Sequence, residues 1–133
     1  MTSKLLTLAA VFFAATTFAA RAEDDAGKNE YMNACAICHG ESAQGNGQFA
    51  ELLNVDVPGL TGLTAANDGE FPFLKTMMII DGRTGVRGHG GPMPIWGDRY
   101  QASMLEERGL VGAEIYARGR LVALVEYIQT LQE

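Results

Sequence analysis

The stretch Cys35-Ala36-Ile37-Cys38-His39 decides the fold, because it forms a C-x-x-C-H motif. On a helix, residues three apart lie side by side, with roughly 5–6 Å between their Cβ atoms. Two thiols at that spacing can each add to one of the two vinyl groups on one edge of a porphyrin. The next residue, His39, can then offer an imidazole nitrogen to the iron. The motif therefore predicts covalent attachment of one c-type haem.

Three other uses of the motif are less consistent with the rest of the chain. A thioredoxin-like redox pair needs a βαβ setting, whereas the residues before Cys35 have a helical pattern. A structural zinc site needs four Cys or His ligands from separated pairs, and the chain has two of each residue in all. A plain disulfide between Cys35 and Cys38 would leave His39 unexplained.

The N-terminus has the features of a secretory signal peptide. Lys4 precedes an apolar run over residues 5–15, and Ala20-Arg21-Ala22 has small residues at the two positions that a signal peptidase reads. We predict that residues 1–22 are removed, which leaves residues 23–133 as one small domain. The alternative is an uncleaved anchor, although the run is short for a span of about 20 residues. No other stretch is apolar enough to span a membrane, so the mature chain is expected to be soluble.

The charge of the predicted mature chain limits its partners. The predicted cleavage removes Lys4 and Arg21 but no acidic residue, so 8 basic and 16 acidic side chains remain, a net charge of −8. Nucleic acid and anionic membranes would repel such a protein. A protein with a basic docking surface is the complementary partner, although an acidic exported protein can also simply be soluble.

The pattern of apolar residues predicts an all-α chain. We expect helices over residues 27–36, 70–81 and 110–131, and a short helical turn over 48–53. Glycine-rich residues 40–47 are expected to form a loop, and residues 82–97 are expected to contain no regular element. In the last helix one apolar stripe comprises Leu121, Leu124, Val125, Ile128 and Leu131. Tyr127, beside the stripe, is expected to meet the face that Gly27 and Tyr31 form on the first helix.

Two further positions are expected to support the histidine and the iron. The backbone carbonyl of Pro58 is a candidate acceptor for the second ring nitrogen of His39, with a plain turn proline as the alternative. Met93, held between Pro92 and Pro94, is the candidate sixth ligand of the iron. Met32 lies too close to the attachment helix to reach the opposite face of the haem. Three other methionines are explained by core packing: Met77, Met78 and Met104. His89 is the competing ligand, and an open sixth position is the remaining alternative.

These motifs together resemble class I monohaem cytochromes c, in particular the small periplasmic bacterial members. The resemblance rests on C-x-x-C-H, Gly27-x-x-x-Tyr31 before it, Pro58-Gly59-Leu60 after it and the Gly-Pro-Met-Pro-Ile-Trp-Gly loop. It covers residues 26–132. It implies an all-α fold of about three to five helices around one covalently bound haem c.

The same resemblance assigns the site. It implies that Cys35 and Cys38 carry the thioether bonds, and that His39 and Met93 ligate the iron on its proximal and distal sides. The implied function is one-electron transfer in the periplasm between redox partner proteins, with no catalysis. The acidic charge departs from that of the mitochondrial members, so their partner surface is not carried over.

Other functions stay open at this point. The chain has the features expected of either a free carrier or a haem subunit of a periplasmic dehydrogenase. A gas-binding or peroxidatic protein with an open sixth position is a third possibility. Arg83 and Arg87 are candidates to pair with the haem propionates, with exposure to solvent the favoured alternative. Trp96 either contacts a propionate or packs.

Overall fold

Helices form all of the regular structure in residues 26–83 and 93–133, the parts of the chain that this computed structural model describes. Helix α1 covers residues 26–34, and α2 covers Ala36–His39. Helices α3, α4 and α5 cover Phe73–Asp81, Trp96–Ala102 and Leu105–Thr130. Two 3₁₀ turns lie at Ala50–Leu52 and Ala65–Asn67. Those residues contain no strand, and the predicted all-α class is confirmed.

The core is built where α1 packs against the second half of α5. The predicted apolar stripe of α5 is confirmed, since four of its five members are at most 1% exposed: Leu121, Leu124, Val125 and Ile128. Tyr31 of α1 is fully buried, and its ring centroid lies 5.5 Å from that of Tyr127. The predicted contact between the two helices is therefore also confirmed. Because α1 leads directly into the C-x-x-C-H motif, this contact positions the motif against the core.

Gly27 allows α1 and α5 to approach this closely. A Cβ built at Gly27 would overlap the carbonyl oxygen of Ala123 and lie 2.8 Å from the Cβ of Tyr127. We expect Gly27→Ala to destabilise the protein by about 1–3 kcal/mol, the usual cost of overpacking. Thermal and denaturant unfolding would measure this change.

Gly119 provides the matched control, because it is also a helical glycine but a Cβ built there meets no atom within 4 Å. Gly119→Ala should stabilise the protein by roughly 0.5–1 kcal/mol through helix propensity alone. Equal effects of the two substitutions would show that close packing at Gly27 is not what fixes α1.

Two helix starts and one additional helix differ from the predictions. Helix α3 begins at Phe73 rather than residue 70, because Pro72 has a non-helical ψ of 63°. Helix α4 was not predicted, and the expectation that residues 82–97 contain no regular element is wrong for their last two residues. Helix α5 starts at Leu105 but is interrupted at Gly109, where φ is 65° and ψ is 178°. The continuous part of α5 therefore begins close to the predicted residue 110.

An ion pair also joins α1 to α5. Arg120 donates from Nε and Nη2 to the two carboxylate oxygens of Glu30, at 2.8 and 2.7 Å. The guanidinium carbon of Arg120 lies 4.0 Å from the ring centroid of Tyr100 in α4. This pair thus links three helices. Within the described residues, no helix combines the length and apolar character needed to cross a membrane.

Candidate haem-binding site

The C-x-x-C-H motif continues α1 through one tightened turn. The N–H of Cys35 donates to Tyr31 O at 2.8 Å, and those of Cys38 and His39 donate to Cys35 O at 3.1 and 2.9 Å. Cys35 and His39 are therefore four apart on one face, and both are buried, at 5% and 7% exposure. Cys38 is half-buried, and both thiols are free. Burial raises the pKa of the Cys35 thiol to about 12.

The glycine-rich loop folds back over the end of this turn. The N–H groups of Phe49, Gly47 and Gly45 donate to the carbonyls of Ile37, Cys38 and His39, respectively, at 2.9, 3.0 and 2.7 Å. These carbonyls lie at a helix C-terminus, where four C=O groups have no intrahelical partner. The loop therefore supplies the hydrogen bonds that the short helix α2 lacks.

Tyr31 fixes the same end of the motif from the core. Its hydroxyl donates a buried hydrogen bond of 2.7 Å to the carbonyl of Gly40. Gly40 has a φ of 84°, in the left-handed region that glycine adopts without steric cost. The residue that follows His39 is thus held by a side chain of α1.

The ring of His39 is oriented by a backbone carbonyl. Its Nδ1 lies 3.0 Å from the carbonyl oxygen of Pro58, so the predicted hydrogen bond is confirmed. Because a carbonyl only accepts, Nδ1 must carry the proton, and Nε2 keeps a lone pair that a metal can bind. Burial lowers the pKa of His39, against a smaller opposing effect of the hydrogen bond to Pro58. The lowered pKa favours the neutral imidazole and the hydrogen bond fixes its tautomer, and both suit a metal ligand.

An apolar cavity of about 180 Å³ opens beside this histidine. Its wall is formed by Cys35, His39, Pro58, Gly59, Leu60, Leu63, Thr76, Ile79, Ile80, Met93 and Ile128. The α3 and α5 residues among them belong to the faces that these helices turn to the core. Cavities for drug-sized ligands are usually about 300–1,000 Å³, so a macrocycle bound here would extend beyond the enclosed space.

The residues present suit a haem. A buried neutral imidazole, a thiol and a thioether face one apolar cavity, and these are the groups that bind haem in proteins. A hard cation would need oxygen ligands, and among the described residues of the cavity wall Thr76 is the only one with an oxygen in its side chain. The donor set therefore favours a soft, apolar cofactor.

The structure brings three of the four predicted site residues together. Cys35, His39 and Met93 line the cavity, whereas Cys38 lies three residues from Cys35 on the same helical segment and is not part of the wall. Met93 is half-buried and packs against the core.

The structure places two of the side chains for which the sequence leaves alternatives open. Arg83 is partly buried and pairs with Asp81 and Glu114, so the favoured prediction of a solvated arginine is wrong. Trp96 packs in α4, with its ring centroid 5.6 Å from that of Tyr100. Arg87 and His89 lie outside the described residues.

Some cavity residues were missed. Leu63 belongs to a segment without periodicity, and Thr76 is a polar residue on an apolar face. The position of Thr76 was predictable from helix spacing, since it lies four residues before Ile80 and therefore shares its helix face.

Comparison with known proteins agrees with this site. The family model for cytochrome c matches residues 25–132. Neither a curated protein nor a solved structure gives a match. The family match extends over all five helices, and the cavity has the donor set that such a fold requires. The chain therefore belongs to the cytochrome c family as a class I monohaem protein, and the members of this family bind haem c covalently and transfer electrons through its iron.

Proposed function

We propose that this cytochrome c is an exported, periplasmic one-electron carrier whose haem iron is coordinated by His39 and Met93. The observation that carries the proposal is the cavity that Cys35, His39 and Met93 share. Bound haem would supply one iron that alternates between Fe(II) and Fe(III). The remaining properties of the carrier follow from side chains of the chain itself.

Two of these side chains would set the electronic properties of the site. His39, with its Nδ1 proton donated to Pro58 O, presents Nε2 in a fixed orientation and as a stronger base. The thioether of Met93 is a soft ligand, and Met/His ligation raises the reduction potential of a haem. A methionine bound at the sixth position would also exclude small ligands, which favours electron transfer over catalysis.

The apolar wall of the cavity would also raise the reduction potential. Leu60, Ile79 and Ile128 surround the site with a medium of low dielectric constant. The ferric state carries one more positive charge than the ferrous state, and desolvation penalises that charge. We therefore infer a potential above that of a solvent-exposed haem with the same ligands.

Export and the choice of partner are supported by the sequence. Residues 1–22 have the order of a signal peptide, and the chain that follows carries a net charge of −8. A redox partner with a basic surface would be attracted to this chain at long range, and its association would slow as salt rises.

Optical spectroscopy of the purified holoprotein tests the proposed ligation. We expect a weak far-red band in the ferric protein, which is the signature of sulfur bound to iron, and slow or undetectable binding of carbon monoxide by the ferrous protein. Cell fractionation should place this spectrum in the periplasm. Rapid carbon monoxide binding together with the absence of the far-red band would contradict His/Met ligation. A cytoplasmic holoprotein that retains residues 1–22 would contradict export.

A further inference from the structure

Four polar side chains form a cluster where α3, α4 and α5 meet. This Arg83 cluster consists of Asp81, Arg83, Gln101 and Glu114. Arg83 donates from Nε to Asp81 Oδ1 at 2.6 Å and from Nη1 to Glu114 Oε2 at 2.7 Å. Gln101 Nε2 donates to the same oxygen of Glu114 at 3.0 Å. The cluster thus ties the end of α3 to both α4 and α5.

The Arg83 cluster contacts the chain on both sides of the segment that carries Met93. A Cβ built at Gly97, in the first turn of α4, would overlap Asp81 Oδ1 and Arg83 Nε. A Cβ built at Gly82 would lie 3.2 Å from Ile95 Cγ2. Residues 81–83 and 95–97 are therefore in direct contact, and Met93 lies two residues before that contact.

We propose that the Arg83 cluster positions Met93 as the sulfur ligand of the iron, by holding the chain before and after residue 93 at a fixed separation. This inference rests on the proposed function, since it requires Met93 to ligate. Arg83 and Glu114 are positioning residues in this proposal, because they act on the iron only through the backbone that carries Met93.

The physical reason is the entropy of the segment. A ligand on a segment whose ends are free has a lower effective concentration at the iron than one whose ends are fixed. Three partly buried side chains of the cluster are between 15% and 28% exposed: Asp81, Arg83 and Glu114. Ion pairs among such side chains are screened by salt less than surface pairs are.

Glu114 keeps its negative charge over the pH range of ordinary measurements. Hydrogen bonds from Arg83 and Arg118 lower the pKa of Glu114 to about 2. The carboxylate of Glu114 is consequently ionised at neutral pH, and its contribution to stability is lost as the pH falls from about 4.5 towards 2.

Binding of imidazole to the ferric holoprotein measures how firmly Met93 holds its position, because imidazole must displace the internal ligand. Glu114→Gln keeps the size of the side chain but removes the charge that Arg83 and the exposed Arg118 bind. The loss of a charge-assisted hydrogen bond should tighten the apparent Kd for imidazole by about tenfold. The far-red band should weaken in parallel. Gly97→Ala leaves all charges in place but crowds Asp81 and Arg83. It should also tighten imidazole binding and weaken the far-red band.

Glu30→Gln is the matched control. Glu30 pairs with Arg120 with a similar bidentate geometry, and its side chain is 19% exposed against 28% for Glu114. It joins α1 to α5, and its partner Arg120 also lies over Tyr100 of α4, but Glu30 has no partner in the Arg83 cluster among its described hydrogen bonds. Glu30→Gln should lower stability but leave the imidazole affinity within about twofold of the wild type.

The outcomes separate this inference from the proposed function. Met93→Leu should bind imidazole far more tightly than the wild type, and if it does not, Met93 is not the ligand and the proposed ligation fails. If Met93→Leu behaves as expected but Glu114→Gln and Gly97→Ala bind imidazole like the wild type, only the positioning role is overturned. Equal tightening by Glu30→Gln and Glu114→Gln would also overturn it, since a general loss of stability would then be the cause.

Discussion

Met93→Leu is expected to lower the reduction potential of the holoprotein by at least about 0.1 V, within the range of about 0.8 V over which axial ligands tune haem. Leucine has nearly the same volume as methionine, so the wall of the cavity stays filled. The sulfur that stabilises the ferrous state is nevertheless lost. Spectroelectrochemical titration would measure the shift, and the ferric spectrum should lose its far-red band at the same time.

Met77→Leu serves as the control for this experiment. Met77 packs partly buried against the core from α3 and is not part of the cavity wall. Its replacement should leave both the potential and the far-red band unchanged. A normal potential in Met93→Leu, or an equal drop in Met77→Leu, would show that the iron takes its sixth ligand from elsewhere.

The double variant Cys35→Ala/Cys38→Ala, prepared without haem, is expected to be largely unfolded. Without haem, the apolar side chains that line the cavity beside His39 lose the packing contacts that the cofactor would make with them. Small domains have only about 5–15 kcal/mol of net stability in total. A chain of this size with two cysteines in all and no disulfide has little else to offset that loss.

Far-ultraviolet circular dichroism and thermal unfolding would measure this loss. The single variants Cys35→Ala and Cys38→Ala each keep one thioether bond and should remain folded when loaded with haem, although less stable than the wild type. Native helical content with a cooperative transition in the haem-free double variant would contradict the expectation, because the polypeptide would then supply its core without the cofactor.

The parts of the site that were predicted correctly depend on local chemistry. The C-x-x-C-H motif fixes the spacing of Cys35 and His39 along one helical segment, so their common face follows from helix geometry alone. The hydrogen bond from His39 to Pro58 was predictable because a metal-bound imidazole needs an acceptor for its second nitrogen, and an extended proline segment offers one. The apolar stripe of α5 was predictable because its period matches 3.6 residues.

The parts that were missed depend on tertiary contacts. Helix α4 has seven residues, too few for a period to be recognised, and it is stabilised by packing of Tyr100 and Gly97 rather than by its own pattern. Arg83 was expected to be solvated because its partner Glu114 lies 31 residues further along the chain. No local pattern reports an ion pair at that separation.

The central claim is that haem is bound covalently through Cys35 and Cys38, and peptide mass spectrometry tests it most directly. The protein should be purified after export by the cell and digested, and the peptide that contains residues 35–39 should be identified. We predict that this peptide carries the mass of one haem, that acidified organic solvent does not extract the haem, and that the N-terminus of the intact protein is residue 23. A peptide with two free thiols, or with a disulfide between them and no added mass, would contradict the claim.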